Sequence, residues 1–260
     1  MIDKGNRWLW PALGSIAVLA ISPLVTALTG QVNAYALVLL PLTLLMWAVT
    51  RLSSRDLGIR LGNLNAYVLS LLYPISVMVL TGIAVWLTGY IRINALLLSD
   101  VGRRVLYLFL IYFIGALLTE EVFFRGWLWG ALEKRDFKLR ARLVWTGGVF
   151  SMWHFAVTII LPELHFSPSI VPIYLGNIFL IGLFFGLLRQ KSGSILAPSV
   201  CHALWNAMLY TLYGTGDIAG VLDIASPRFF DPERGLLGLL LNLIAVVLLW
   251  RIAARRENGK

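Results

Sequence analysis

Charge is scarce in this chain, and acidic charge scarcest of all. Asp and Glu supply 13 of 260 residues, and the four charged types together reach 13%. A soluble domain carries about twice that fraction, so a water-facing globule is excluded. Cys201 is the single cysteine, which excludes an intrachain disulfide. No His-Glu-x-x-His occurs, so the helix of the usual zinc proteases is absent. Linkers, repeats and low-complexity segments are also missing, and one domain over residues 1–260 is expected.

What the chain has is apolar sequence: 59% of residues are hydrophobic and the mean hydropathy is +0.81. The apolar runs recur along the whole length, which predicts an all-α, polytopic membrane helix bundle. Eight spans are expected, at Leu9–Thr29, Val32–Thr50, Ala66–Tyr90, Val105–Thr119, Leu143–Leu161, Ile170–Leu188, Ile195–Tyr213 and Gly235–Ile252. The fourth is expected to continue helically through Leu132. The first has about 20 apolar residues and no small-x-small site after it, so it reads as a retained span and not a cleaved leader.

The net charge of +9 first suggests nucleic acid, but its distribution argues otherwise. With the N-terminus inside, 17 of the 22 Lys and Arg fall on the cytoplasmic side and 5 on the other. The five are Arg92, Arg103, Arg104, Arg228 and Arg234. That bias predicts a cell-membrane protein with both termini cytoplasmic. Anionic lipid is then the expected partner of the basic excess, and no nucleic acid is expected. The short connections suggest a bacterial protein.

Against this apolar background two adjacent glutamates, Glu120 and Glu121, end a hydrophobic run. A carboxylate at membrane depth costs roughly 2.5–3.5 kcal/mol or more to insert. On an α-helix Glu121 and Arg125, four apart, share a face, while Glu120 points about 100° away. One carboxylate is thereby neutralised and the other left for chemistry, as a general base requires. The dipeptide alone also fits two helix-junction carboxylates that satisfy Arg125, Lys134 and Arg135.

His154 lies in one later apolar helix and His202 in another, with Asn206 one turn beyond His202 on the same face. Either histidine alone could be a packing residue, and His202 with Asn206 could be interhelical glue. By helical rise Glu120 sits about 25 Å from the outer start of its span, with His202 and His154 about 12 and 17 Å in from the cytoplasmic side. These depths allow one shared layer. His165 in an outer loop is assigned no role. Gly214-Thr215-Gly216-Asp217 imitates an aspartyl-protease motif without its Tyr-Asp partner. Ser192-Gly193-Ser194 reads as a polar turn, and Cys201 as a small packing residue.

Glu120-Glu121-Val122-Phe123-Phe124-Arg125, Phe150-Ser151-Met152-Trp153-His154 and His202-Ala203-Leu204-Trp205-Asn206 together resemble the CPBP intramembrane protease family. That family includes CAAX prenyl endopeptidases and bacteriocin-processing or immunity proteins, and Asp56-Leu57-Gly58-Ile59 is similar to its Leu-Gly element. The motif-bearing core is about residues 104–213. The resemblance implies an endopeptidase whose Glu120 and His154 activate water, with His202 and Asn206 stabilising the oxyanion and Glu121 and Arg125 in support. The expected substrate is a peptide precursor or a lipidated protein terminus, which the basic run Lys134–Arg142 could steer. No tightly bound metal is expected, because Asn206 is a poor zinc ligand and a good oxyanion donor; zinc is the disfavoured alternative. A non-catalytic immunity or scaffold protein is the main rival, and an ion-coupled transporter a further one.

Overall fold

The computed structural model describes residues 7–31, 34–160, 167–215 and 218–257. His165 and the end of the Gly214–Asp217 motif lie outside them. The chain is a helical bundle. In order come α1 (Leu9–Thr29), α2 (Ala34–Leu37), α3 (Leu39–Thr50), α4 (Asn65–Thr88), β1 (Ile91–Ile93), α5 (Ala95–Leu98) and α6 (Val101–Ala116). A π-helical segment, Leu117–Leu128, leads into α7 (Trp129–Glu133). Then follow α8 (Leu139–Ile160), α9 (Val171–Ser192), α10 (Leu196–Leu212), β2 (Gly214–Thr215), β3 (Ile218–Ala219), β4 (Leu222–Ile224), α11 (Pro227–Phe230) and α12 (Leu236–Glu257).

The eight-span expectation is met in part. Among the described residues four helices are long and apolar enough to cross a membrane: Leu9–Thr29, Asn65–Thr88, Val101–Glu133 and Val171–Ser192. Ala34–Thr50 and Leu236–Ile252 are apolar but shorter. The helices α8 and α10 meet neither description. Arg140 and Arg142 open α8, and Ser199, His202 and Asn206 interrupt α10. Most of α10 is buried among its neighbours, so it presents little surface that lipid must solvate.

The second difference is the π-helix, where a continuous α-helix was expected. Trp129 N–H reaches back to the Phe124 carbonyl, five residues away. From outside the helix Arg189 Nε donates to the Arg125 carbonyl at 2.9 Å, and the Thr119 hydroxyl takes the Gly115 carbonyl at 2.8 Å. Side chains inserted into the ladder widen a helix, and such turns cluster at functional sites.

Two cores flank this segment. One packs Phe123, Phe124, Trp127 and Leu128 against α2, α3 and α8, with Trp153 at its centre. The other joins α4, α9, α10 and α12 around Tyr73, Phe185, Trp205 and Leu249. A buried polar chain crosses the second: Tyr73 hydroxyl donates to Asn242 Oδ1 at 2.7 Å, and Asn242 Nδ2 to Asn177 Oδ1 at 2.7 Å. Interhelical hydrogen bonds of this kind hold membrane helices in register.

The loop elements fix the ends. Gly58 has φ +74° and a Cβ there would lie 2.6 Å from Arg189 Cζ, so only glycine admits the guanidinium. Arg189 Nη2 in turn donates to the Asp56 carbonyl at 2.9 Å, and the Gly58 carbonyl accepts from Ile195 N at 3.0 Å. The Leu-Gly element is therefore a clasp between the loop after α3 and the turn between α9 and α10. Ser192-Gly193-Ser194 is that turn, as expected, with Gly193 at φ +69°. At the opposite end β1 pairs antiparallel with β4, tying together the connections after α4 and α10.

Candidate active site

The π-helical segment turns its two glutamates to different surroundings. Glu121 is fully buried: its Oε1 accepts from Arg125 Nη1 at 3.2 Å and from His202 Nδ1 at 2.9 Å. Arg125 is equally buried, donates through Nη2 to the Gly182 carbonyl at 3.2 Å, and lies 4.3 Å over the Phe150 ring. The same carboxylate oxygen accepts from the guanidinium, and an oxygen in that role accepts again, so His202 Nδ1 is the donor. The expected Glu121–Arg125 pairing is present. Glu121 has a second partner, however, that helix geometry alone did not foretell.

Glu120 faces a cavity instead. Its Oε2 lies 4.0 Å from His154 Nε2 and 3.9 Å from His202 Nε2, and makes no hydrogen bond within the described residues. His154 Nδ1 is 2.9 Å from the Phe150 carbonyl. A carbonyl only accepts, so Nδ1 carries a proton, and the ring turns Nε2 toward Glu120. Ring packing fixes both imidazoles: Phe150 stands edge-on to His154 at 4.5 Å, and Phe185 lies 5.1 Å from His202. Separations near 4 Å between polar atoms leave room for one oxygen atom to bridge them.

The cavity has a volume of about 530 Å³, within the range of small-molecule and peptide-segment sites. Glu120, His154, His202 and Asn206 all line it. Glu121 and Arg125 do not, lying behind the wall. Thus the three separate motifs converge on one place.

One lining residue has no counterpart in the motifs. Glu233, in the connection before α12, accepts from Trp205 Nε1 at 3.1 Å, while its backbone N–H is held by Asp231 Oδ1 at 2.9 Å. Burial and then the Asp231 carboxylate push the Glu233 carboxyl up to about 7. Asp231 also binds Arg234 through Nε and Nη2 at 3.0 and 2.6 Å. Tyr35, Tyr112, Tyr174 and Tyr210 surround the cavity between Glu120 and Glu233. The one sequence signal for this arrangement was a charged pair, Glu233-Arg234, abutting the last apolar run.

The basic run Lys134–Arg142 lies elsewhere. Arg142 pairs with Glu133 and stacks 4.9 Å over Trp129, and none of these residues lines the cavity. Cys201 is buried, as a packing residue would be.

Residues 102–208 match the family model described as type II CAAX prenyl endopeptidase Rce1-like. The matched stretch contains all three motifs and stops short of Glu233. No curated protein matches the chain.

Proposed function

We propose that the chain belongs to the CPBP intramembrane protease family, on the match of residues 102–208 to the Rce1-like model, and that it hydrolyses a peptide bond at the Glu120–His154–His202 centre. The observation that carries this reading is Glu120 Oε2. It is a buried carboxylate oxygen with no hydrogen-bond partner among the described residues, facing two imidazole nitrogens across the wall of a cavity. Glu121 Oε2 is buried and unpaired among the described residues as well, but Glu121 lies outside the cavity lining, so it is the cavity and the two facing imidazoles together that mark Glu120. This argues for an enzyme over an immunity or scaffold protein.

In the proposed step a water between Glu120 Oε2 and His154 Nε2 gives its proton to Glu120, and its oxygen bonds to the scissile carbonyl carbon. The carbonyl electrons move to oxygen. That oxyanion accepts from the Asn206 amide and from His202 Nε2, the imidazole being doubly protonated between Glu120 and Glu121. Collapse breaks the C–N bond, and the proton on Glu120 passes to the leaving amine. The products are a carboxylic acid and an amine, and transfer of the acid's proton to the amine leaves a carboxylate and an ammonium group. Glu121 and Arg125 act through His202, by fixing its ring.

Were a zinc ion bound, Glu120, His154 and His202 would be the side chains to hold it and it would supply a polarised water, but among the described residues no three such side chains are grouped as metal ligands. The metal-free reading is preferred because Asn206 donates well to an oxyanion and ligates zinc poorly. Purified protein in lipid nanodiscs, given a proteome-derived peptide library, is expected to generate new peptide termini read by mass spectrometry. Cleavage should persist in 1,10-phenanthroline and slow by about 10²–10³-fold in Asn206→Ala. No cleavage would remove the proteolytic reading. Reversible loss with the chelator would replace the metal-free version by the zinc version.

A further inference from the structure

Among the described residues, the cavity extends to one side of the catalytic layer along α6, α9 and α10. Tyr112 and Gly115 precede Glu120 on α6, Tyr174 precedes Phe185 on α9, and Leu209 and Tyr210 follow Asn206 on α10. Gly214 and Glu233, from connections beyond the helix ends, complete that side. The other side is closed. Phe123, Phe124 and Trp127 below Glu120 are fully buried, as are Leu187 and Leu188 on α9, and Arg189 clasps the loop across the end of the bundle.

Charge tells the two ends apart. The connections at the closed end, between α3 and α4 and between α7 and α8, hold Arg51, Arg55, Arg60, Lys134, Arg135 and Lys138, and Arg189 and Lys191 lie in the last turn of α9. With the start of α1 and the end of α12, that end carries 15 of the 20 Lys and Arg among the described residues. Positive residues remain on the cytoplasmic side during insertion.

We propose that the reaction centre is entered from the non-cytoplasmic face, and that its substrate is a peptide whose cleavable segment has already been translocated or lies in the outer half of the bilayer. The side of entry follows from the cavity and the charge pattern alone; the substrate class rests in addition on the proteolytic reading above. A cytoplasmic protein terminus gathered by Lys134–Arg142 would meet the closed end. The expectation that this basic run steers substrate is therefore withdrawn in favour of its role in orientation and lipid contact.

Thiol labelling tests the side of entry without any cleavage. In a Cys201→Ala background, which removes the single native cysteine, Tyr210→Cys reports on the cavity and Arg55→Cys on the exposed closed end. The probe is the membrane-impermeant reagent sodium 2-sulfonatoethyl methanethiosulfonate, applied to right-side-out and to inverted membrane vesicles. Tyr210→Cys should react at least 10-fold faster in right-side-out vesicles, and Arg55→Cys at least 10-fold faster in inverted ones. Glu233→Cys repeats the cavity measurement should Tyr210→Cys fail to assemble. Faster reaction of the cavity cysteine in inverted vesicles, or reaction of both cysteines from one side, overturns the proposal. So does a cavity cysteine that is modified only after denaturation. The same labelling in Glu120→Gln protein separates this result from proteolysis: labelling as expected with no cleavage by the parent would sink the catalytic reading and leave the entry side standing.

Discussion

Glu120 and Glu121 are neighbours in sequence and opposites in environment. Glu121 belongs to the closed half of the bundle, where Phe123, Phe124, Trp127 and Arg125 are all fully buried. Glu120 belongs to the open half, where tyrosines, Asn206 and Glu233 line a cavity of about 530 Å³. The closed half therefore supplies rigidity: it fixes the His202 ring through Glu121 and holds the segment that carries both carboxylates. The open half supplies the space that water and substrate require, and Glu120 Oε2 faces it unpaired among the described residues. A preorganised site needs both, because an oxyanion donor stabilises a transition state only if its own position is already determined.

That division can be strained from either side. The largest effect is expected in the closed half. Trp127 is fully buried, donates to Thr50 Oγ1 at 3.1 Å, and sits where any Cβ on Gly14 would collide with its ring at 2.2 Å. Trp127→Ala should cost about 3–5 kcal/mol of stability, seen as a lower thermal midpoint of purified protein in detergent. Activity per folded molecule should survive at low temperature. A midpoint equal to the parent's would show that the closed half is not the rigid one.

A smaller effect is expected at the rim of the open half. The Glu233 carboxyl is raised from 4.5 to about 7. The folded protein thus binds a proton that the unfolded chain releases between those values. Its contribution to stability is fully present below 4.5 and is lost as pH rises through about 7, a difference of at most about 3 kcal/mol. The thermal midpoint of the parent should fall between pH 5 and pH 8 by more than that of Glu233→Gln. Identical slopes would mean that Glu233 is solvated and not part of a dry rim.

Much of this was legible in the sequence, for reasons that differ by feature. The helices were, because apolar runs long enough to cross a bilayer have few alternatives: α1 has the expected limits, Leu9–Thr29, and the others shift by a few residues at their ends. Convergence of Glu120, His154 and His202 could be read from depth, because helical rise converts residue number to distance along the bundle. The π-helical turn could not, since no proline lies between Leu117 and Leu128 and the Arg189 side chain that reaches the Arg125 carbonyl comes from α9. Nor could the His202–Glu121 contact, which depends on how two helices rotate against each other. Glu233 was missed because a single acidic residue in a connection carries no periodicity. The side on which the cavity opens was missed as well: depth locates a layer but does not say which end is filled.

The central claim is that one carboxylate does chemistry and its neighbour holds the site together. Glu120→Gln and Glu121→Gln, purified side by side in nanodiscs, test it by two readings: cleavage of the peptide library and thermal midpoint. Glu120→Gln should lose cleavage while unfolding within a few degrees of the parent. Glu121→Gln should lose stability by about 3–5 kcal/mol, because Arg125 is left buried without its partner, and should lose cleavage in step with misplacement of His202. Cleavage by Glu120→Gln at the parent's rate, or equal loss of stability in the two variants, would contradict the account.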